Sequence, residues 1–204
     1  FEVDPFWPKP LGNEWILGNV IGVAIDERDH IFIVHRASGE GIFGSRTEIG
    51  LQTGVSICCT PAPPIIEFDP DGNVVNAWGG PVEGAPYTWP SSNHGIEIDH
   101  HGNIWIGGNG QGDSHILKFT RDGTFLEQLG TPGIIESDSN DTTRFSRVAE
   151  VAVVPETNEA FVSDGYGNRR IAVLDATTGE FKRYWGAYGN KPEDPTERYR
   201  HDPT

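Results

Sequence analysis

The chain has 204 residues and carries 30 acidic against 15 basic side chains, a formal charge of −15. A surface of that sign repels phosphate backbones and anionic lipid, so nucleic acid is excluded as an expected partner. No apolar run approaches the roughly 20 residues of a membrane-spanning helix, and 26 Gly with 15 Pro are too many for a helical protein.

The chain opens Phe1-Glu2-Val3-Asp4, with no basic start and no apolar leader core, and contains no Met. Phe1 is therefore expected to follow a removed leader or to mark where order begins. Segment 1–21 precedes the first blade, and its Val3–Trp15 stretch is expected to supply a strand or lid to the missing last blade. From Gly22 a pattern begins. Gly22-Val23-Ala24-Ile25-Asp26 is followed by a polar turn and by Ile31-Phe32-Ile33-Val34. Residues 37–64 interrupt it with Gly, Ser, Thr and Pro, a length that marks a functional or mobile loop. Cys58 and Cys59 stand there side by side, readable as a strained vicinal disulfide or as free thiols. The pattern resumes at Ile65-Ile66-Glu67-Phe68-Asp69, turns at Asp71-Gly72-Asn73 and ends at Trp78-Gly79.

A second unit spans 95–130. It runs Gly95-Ile96-Glu97-Ile98-Asp99, a turn at His101-Gly102-Asn103, Ile104-Trp105-Ile106, Ile116-Leu117-Lys118-Phe119, a turn at Asp122-Gly123, and Phe125 to Leu129. A third spans 150–186, from Glu150-Val151-Ala152-Val153-Val154 through Ala160-Phe161-Val162 and Ile171-Ala172-Val173-Leu174-Asp175 to Trp185-Gly186. Residues 187–204 are polar and read as a linker toward a further blade. Each unit is four short strands rich in Val, Ile, Phe and Trp, joined by Asp-Gly and Gly-Asn turns. Repeated four-stranded units define an all-β chain, a β-propeller of which three blades are visible. Closed propellers have four to eight blades, so 1–204 is expected to be a single incomplete propeller domain. Its remaining blades would be on the same or another chain, and the outer flank of blade three would be bare and apolar.

Three segments narrow the reading. They are Gly22 to Asp26 with Ile33-Val34-His35-Arg36, Asn93-His94-Gly95-Ile96-Glu97-Ile98-Asp99 with Gly102-Asn103-Ile104-Trp105, and Ser163-Asp164-Gly165-Tyr166-Gly167-Asn168-Arg169-Arg170-Ile171. With them the repeats resemble NHL repeats, and more narrowly the peptidyl-α-hydroxyglycine α-amidating lyase domain and its bacterial relatives. The resemblance implies a six-bladed ring, an extracytoplasmic (secreted or periplasmic) location, and a zinc-dependent lyase that cleaves α-hydroxyglycine-type carbinolamides to amide and glyoxylate. It implies His94 as a zinc ligand, Tyr166 as general base and Arg36 as its assistant. It also implies calcium held by the backbone carbonyls of Val23 and Ile96, and a small-molecule or peptide substrate at the tunnel mouth.

Plainer readings stand beside these. Arg36 fits a strand end paired with Glu40, His94 a tunnel residue bonded to a neighbouring carbonyl, and Tyr166 a packed tunnel side chain. Asp164, Asn168 and Arg170 read as an architectural hydrogen-bonding set, His100 and His101 as a surface turn. The alternative for the whole is a non-catalytic extracytoplasmic propeller that binds a protein or glycan. The sequence departs from the family at Asn93 (Pro in the family), at Gly167 (a disulfide-bonded Cys) and over Arg147-Val148-Ala149-Glu150 (Gln-Pro-Thr-Asp).

Overall fold

The computed structural model of the chain describes residues 2–37, 59–134, 136 and 138–194. Glu40 and Cys58, named above, lie outside them. A short strand β1 (Trp15–Ile16) precedes blade one, which consists of β2 (Val20–Ile25), β3 (Ile31–His35), β5 (Ile65–Phe68) and β6 (Val74–Trp78). β4 (Thr60–Pro61) pairs in parallel with β1. Blade two is β7 (Asn93–Ile98), β8 (Ile104–Gly108), β9 (His115–Phe119) and β10 (Phe125–Gly130). Blade three is β11 (Glu150–Val154), β12 (Glu159–Asp164), β13 (Arg170–Asp175) and β14 (Phe181–Trp185). Each blade is a four-stranded antiparallel sheet with its strands in chain order, and the fold is all-β.

The turns follow from acidic side chains. Asp26, Asp69 and Asp99 each accept the backbone N–H four residues on, from His30, Asn73 and Asn103 at 2.8–2.9 Å. One carboxylate thus closes the link between successive strands in the first and second blades.

Strand alternation decides how the blades stack. Phe32, Val34 and Ile65 of blade one meet Ile104, Ile106, Leu117 and Phe119 of blade two. The opposite face of blade two presents Trp105 and Ile116 to Val151, Ala160, Val162, Ala172 and Leu174 of blade three. Each such aliphatic or aromatic side chain contributes about 1.5–3 kcal/mol when fully buried.

The face of blade one turned away from blade two carries Ile33, Ile66 and Phe68, and it too is covered. Trp7, Leu11, Trp15 and Leu17 pack on it, with the Trp7 and Phe68 rings 5.5 Å apart. The opening segment thus packs on blade one, its aromatic side chains against that apolar face. The outer face of blade three is not bare. Arg183 sits 5.8 Å over the Phe161 ring and forms a two-pronged ion pair with Glu159 at 2.6 and 2.8 Å. The edge strand β2 carries three exposed apolar residues, Val20, Val23 and Ile25, at 45–63%.

Candidate functional site

The first strands of the three blades lie side by side, β2 against β7 and β7 against β11. At one end of this arc, the starts of the first strands meet the ends of the second strands. Arg36 follows β3, His94 is the second residue of β7, and Tyr166 stands two residues beyond β12. Fold topology alone gathers three residues 130 positions apart in the chain.

A bulge shapes the start of β7. The register with β8 shifts between His94 and Ile96, and Gly95 between them has φ of 77°. A Cβ at Gly95 would stand 2.8 Å from the Ala149 carbonyl oxygen and 2.6 Å from Glu150 Oε1. Only glycine combines this left-handed backbone with so close an approach. The bulge brings the His94 ring onto the same carbonyl, with Nδ1 2.7 Å from Ala149 O. A carbonyl only accepts, so Nδ1 carries the proton and Nε2 presents its lone pair. Tyr166 Oη lies 3.0 Å from Nε2 and donates to it, with the two rings edge to face at 5.1 Å.

His94 differs here from the buried histidine at the end of β3. His35 receives the Gly18 N–H at Nδ1 and donates from Nε2 to the Pro63 carbonyl. Burial lowers its pKa, opposed by the Pro63 bond. Both its nitrogens are spent on backbone, and His35 is a structural group. His94 spends one and turns the other to a half-exposed tyrosine.

The arginines converge on Asn109. Arg36 Nη2 donates to Asn109 Oδ1 at 3.2 Å, and Arg147 Nε donates to the Asn109 carbonyl at 2.8 Å. Ser92 Oγ fixes the same amide oxygen at 2.8 Å. Arg147 stands 5.9 Å over the Tyr166 ring, and its carbonyl accepts the Tyr166 N–H. Among the described residues, Asn109 and Arg147 link Arg36 to Tyr166. Neither Arg147 nor Asn109 is marked by a motif; Arg147 stood out only as part of a stretch that departs from the family.

The other departures have structural work. Asn93 is buried, donates from Nδ2 to the His35 carbonyl at 2.9 Å and accepts the Trp89 indole N–H at 2.8 Å. It ties blade two to the strand end that carries Arg36. A Cβ on Gly167 would meet Ser146 Oγ at 2.0 Å, so a cysteine has no room there. The turn is held instead by the Gly167 N–H on the Ser146 carbonyl at 2.9 Å. Behind it, Asp164 accepts from Ser146 N, Asn168 Nδ2 and Arg170 Nε at 2.7–2.9 Å, and both charged side chains are fully buried. This is the architectural set expected of these residues. Cys59 is disulfide-bonded, not a free thiol.

Zinc needs a set of three or four ligands. His94 has one nitrogen on a backbone carbonyl, as ligand histidines commonly do. Its Nε2 is taken by Tyr166, however, and among the described residues no three His, Cys, Asp or Glu stand where they could share a metal. The described residues do not by themselves fit a zinc ion. Val23 and Ile96 lie on the neighbouring strands β2 and β7, Val23 exposed and Ile96 buried.

The chain is a distant homologue of the lyase region of the peptide-amidating monooxygenases. It is 28% identical over 200 residues to peptidylglycine alpha-amidating monooxygenase of Rattus norvegicus, covering 89% of this chain and 19% of that protein. To the probable peptidyl-alpha-hydroxyglycine alpha-amidating lyase of Caenorhabditis elegans it is 27% identical over 165 residues, 78% of this chain and 42% of the relative. The chain thus spans less than half the length of either. No family model matches it. Among solved structures, an inactive H270A virginiamycin B lyase from Staphylococcus aureus with quinupristin aligns over 89% of this chain and 45% of its own, at 14% identity and a TM-score of 0.49.

Proposed function

We propose that the chain carries part of the active site of a lyase that cleaves α-hydroxyglycine-type carbinolamides to an amide and glyoxylate. The observation that carries the reading is the Tyr166 Oη–His94 Nε2 hydrogen bond of 3.0 Å at the shared end of the inner strands. The distant homology to amidating lyases supports it.

The reaction moves one proton from oxygen to nitrogen. Tyr166 passes its phenolic proton to His94 Nε2 and takes the carbinol O–H proton. The oxygen electrons form the C=O bond of glyoxylate, the C–N bond breaks, and the electron pair leaves with the amide nitrogen. The His94 imidazolium returns a proton to that nitrogen. Its bond to Ala149 fixes the His94 tautomer, so the acceptor nitrogen faces Tyr166. Arg36, locked to Asn109, holds the loop on which Arg147 rests.

Zinc and calcium dependence belong to the same proposal. A bound zinc would supply a Lewis acid for the carbinol oxygen; it would take His94 Nε2 in place of the Tyr166 hydroxyl, so the Tyr166–His94 relay is the metal-free form of the proposal. Calcium would take the Val23 and Ile96 carbonyls. The open edge at Val20, Val23 and Ile25 supports further blades packing against β2, from the same or another chain. A disulfide at Cys59 agrees with an extracytoplasmic location, where such bonds persist.

The test is glyoxylate release from α-hydroxyhippurate by the natural full-length protein, metal-stripped and zinc-loaded. Release abolished by stripping and restored by zinc supports the lyase with His94 Nε2 on the metal and removes the Tyr166–His94 relay. Metal-independent release keeps the Tyr166–His94 chemistry and removes zinc. No release from folded, zinc-loaded protein removes the lyase and leaves a binding propeller.

A further inference from the structure

Arg147 has an unusual backbone for its residue type, with φ of 64°. A left-handed conformation costs a non-glycine residue about 1 kcal/mol or more. Arginine has no side-chain route to relieve it, unlike Asn or Asp. Four contacts hold the residue there: its N–H on the Asp113 carbonyl at 3.0 Å, its carbonyl under the Tyr166 N–H at 3.3 Å, Nε on the Asn109 carbonyl, and the guanidinium over the Tyr166 ring.

Only Nε of the guanidinium is used in a hydrogen bond among the described residues, and the side chain is exposed. The acid in closest backbone contact, Asp113, is already spent. Its carboxylate accepts the N–H groups of Ser91, Ser92 and Gly110 and the Ser91 hydroxyl at 2.8–3.0 Å. Asn109 brings the Arg36 guanidinium to the other side of the same residue. Two guanidiniums gathered on one asparagine, beside the candidate base, stand out in a chain with twice as many acids as bases.

We propose that Arg147 is a specificity-determining residue that takes the carboxylate of an α-hydroxy acid substrate through its two terminal nitrogens. This rests on the lyase reading. Two terminal N–H groups match the two oxygens of a carboxylate. Nε, fixed on the Asn109 carbonyl, sets the plane of the fork. The contact over the Tyr166 ring places a bound carboxylate's α-carbon, which bears the reacting hydroxyl, beside the phenol. The substrate is thereby an acid, and its ester or amide is a poor one.

The experiment compares wild type, Arg147→Gln, Arg147→Asn and Arg147→Lys in the natural full-length protein. The Asn variant tolerates the left-handed backbone and so keeps the fold. With α-hydroxyhippurate, the Gln and Asn variants are expected to raise KM by about tenfold to a hundredfold, the range of a charged hydrogen-bonded contact. Lys should recover part of the loss. With the methyl ester of α-hydroxyhippurate, wild type and variants should be alike. Equal effects on acid and ester, or none on either, would overturn the assignment. If wild type turns over neither compound, the lyase reading fails, and titration with hippurate decides Arg147 separately. Hippurate binding that the Gln and Asn variants lose upholds the carboxylate contact; binding that is equal in all, or absent in wild type, overturns it.

Discussion

Tyr166 Oη donates to His94 Nε2 across 3.0 Å, although 72 residues and a blade boundary separate the two. The direction of this bond is fixed from behind: the Ala149 carbonyl holds the proton on Nδ1 and leaves Nε2 only the accepting role. A phenol whose proton is already aimed at a base is poised to exchange it for a substrate proton.

If the two residues act as one relay, they should fail as one. Tyr166→Phe and His94→Ala are each expected to lower kcat for glyoxylate release by about a hundredfold or more, the usual contribution of a positioned general base. The double variant should be no slower than the worse single one, as for groups acting as a unit. Multiplying losses would show that they act independently. Tyr166 is 49% exposed, so Tyr166→Phe should cost stability about 1 kcal/mol or less, checked by urea unfolding.

The turn that aims Tyr166 depends on the absence of a side chain at its neighbour. A methyl group on Gly167 meets Ser146 Oγ at 2.0 Å and Ser146 Cβ at 2.7 Å. Gly167→Ala is therefore expected to destabilise by about 1–3 kcal/mol through overpacking, and to lower kcat by displacing Tyr166. Adding Ser146→Gly removes the two side-chain atoms but leaves the Ser146 carbonyl oxygen at 2.7 Å, and should recover only part of the stability. An Ala variant with wild-type unfolding midpoint and activity would contradict the packing described here.

Blade architecture was legible in the sequence because it rests on local signals. Alternating Val, Ile, Phe and Trp set the strands, and the Asp-initiated turns set their links. His94, Tyr166 and Arg36 were legible only through resemblance, since nothing in their local pattern separates them from His35 or Tyr184. Arg147 and Asn109 were not legible at all. Their role comes from a backbone conformation and a carbonyl, and neither leaves a trace in residue type. In Val3–Trp15 the aromatic residues announce that they will be buried but not on which face, and the structure puts Trp7 and Trp15 on that of blade one.

Asp164 and Arg170 form an ion pair at 2.9 Å with both side chains fully buried. Arg170 also donates to the carbonyls of Ser139, Asp141 and Arg144, and so stitches the loop before blade three to β13. Asp164→Ala leaves that guanidinium without its counter-charge, which is expected to cost about 3–5 kcal/mol. Replacing both by apolar residues (Asp164→Leu with Arg170→Met) should not restore wild-type stability, because three carbonyls lose their donor. Full recovery in urea unfolding would mean that the pair matters only for its own charges.

The carboxyl of Glu97 on β7 works against the fold at neutral pH. Burial pushes its pKa up, the N–H of Val153 at 2.9 Å opposes this, and the charge of Asp99 adds to the rise. Glu150, on the adjacent strand β11, is likewise pushed up, by burial and by Glu97. A carboxyl whose pKa is raised on folding binds more protons in the folded chain than in the unfolded one. Stability then falls as pH rises from the ordinary value of 4.5 through the raised value, and stays reduced above it. Glu97→Gln keeps an oxygen for the Val153 N–H and removes the charge. It is expected to raise Tm at pH 7, with a gain that shrinks to nothing as pH falls below 4.5, where wild-type Glu97 is neutral in both states. Calorimetric scans of both proteins from pH 4 upward measure the difference directly. A gain that is the same at every pH would assign it to packing, and a loss at pH 7 would mean that the Glu97 charge has a stabilising partner.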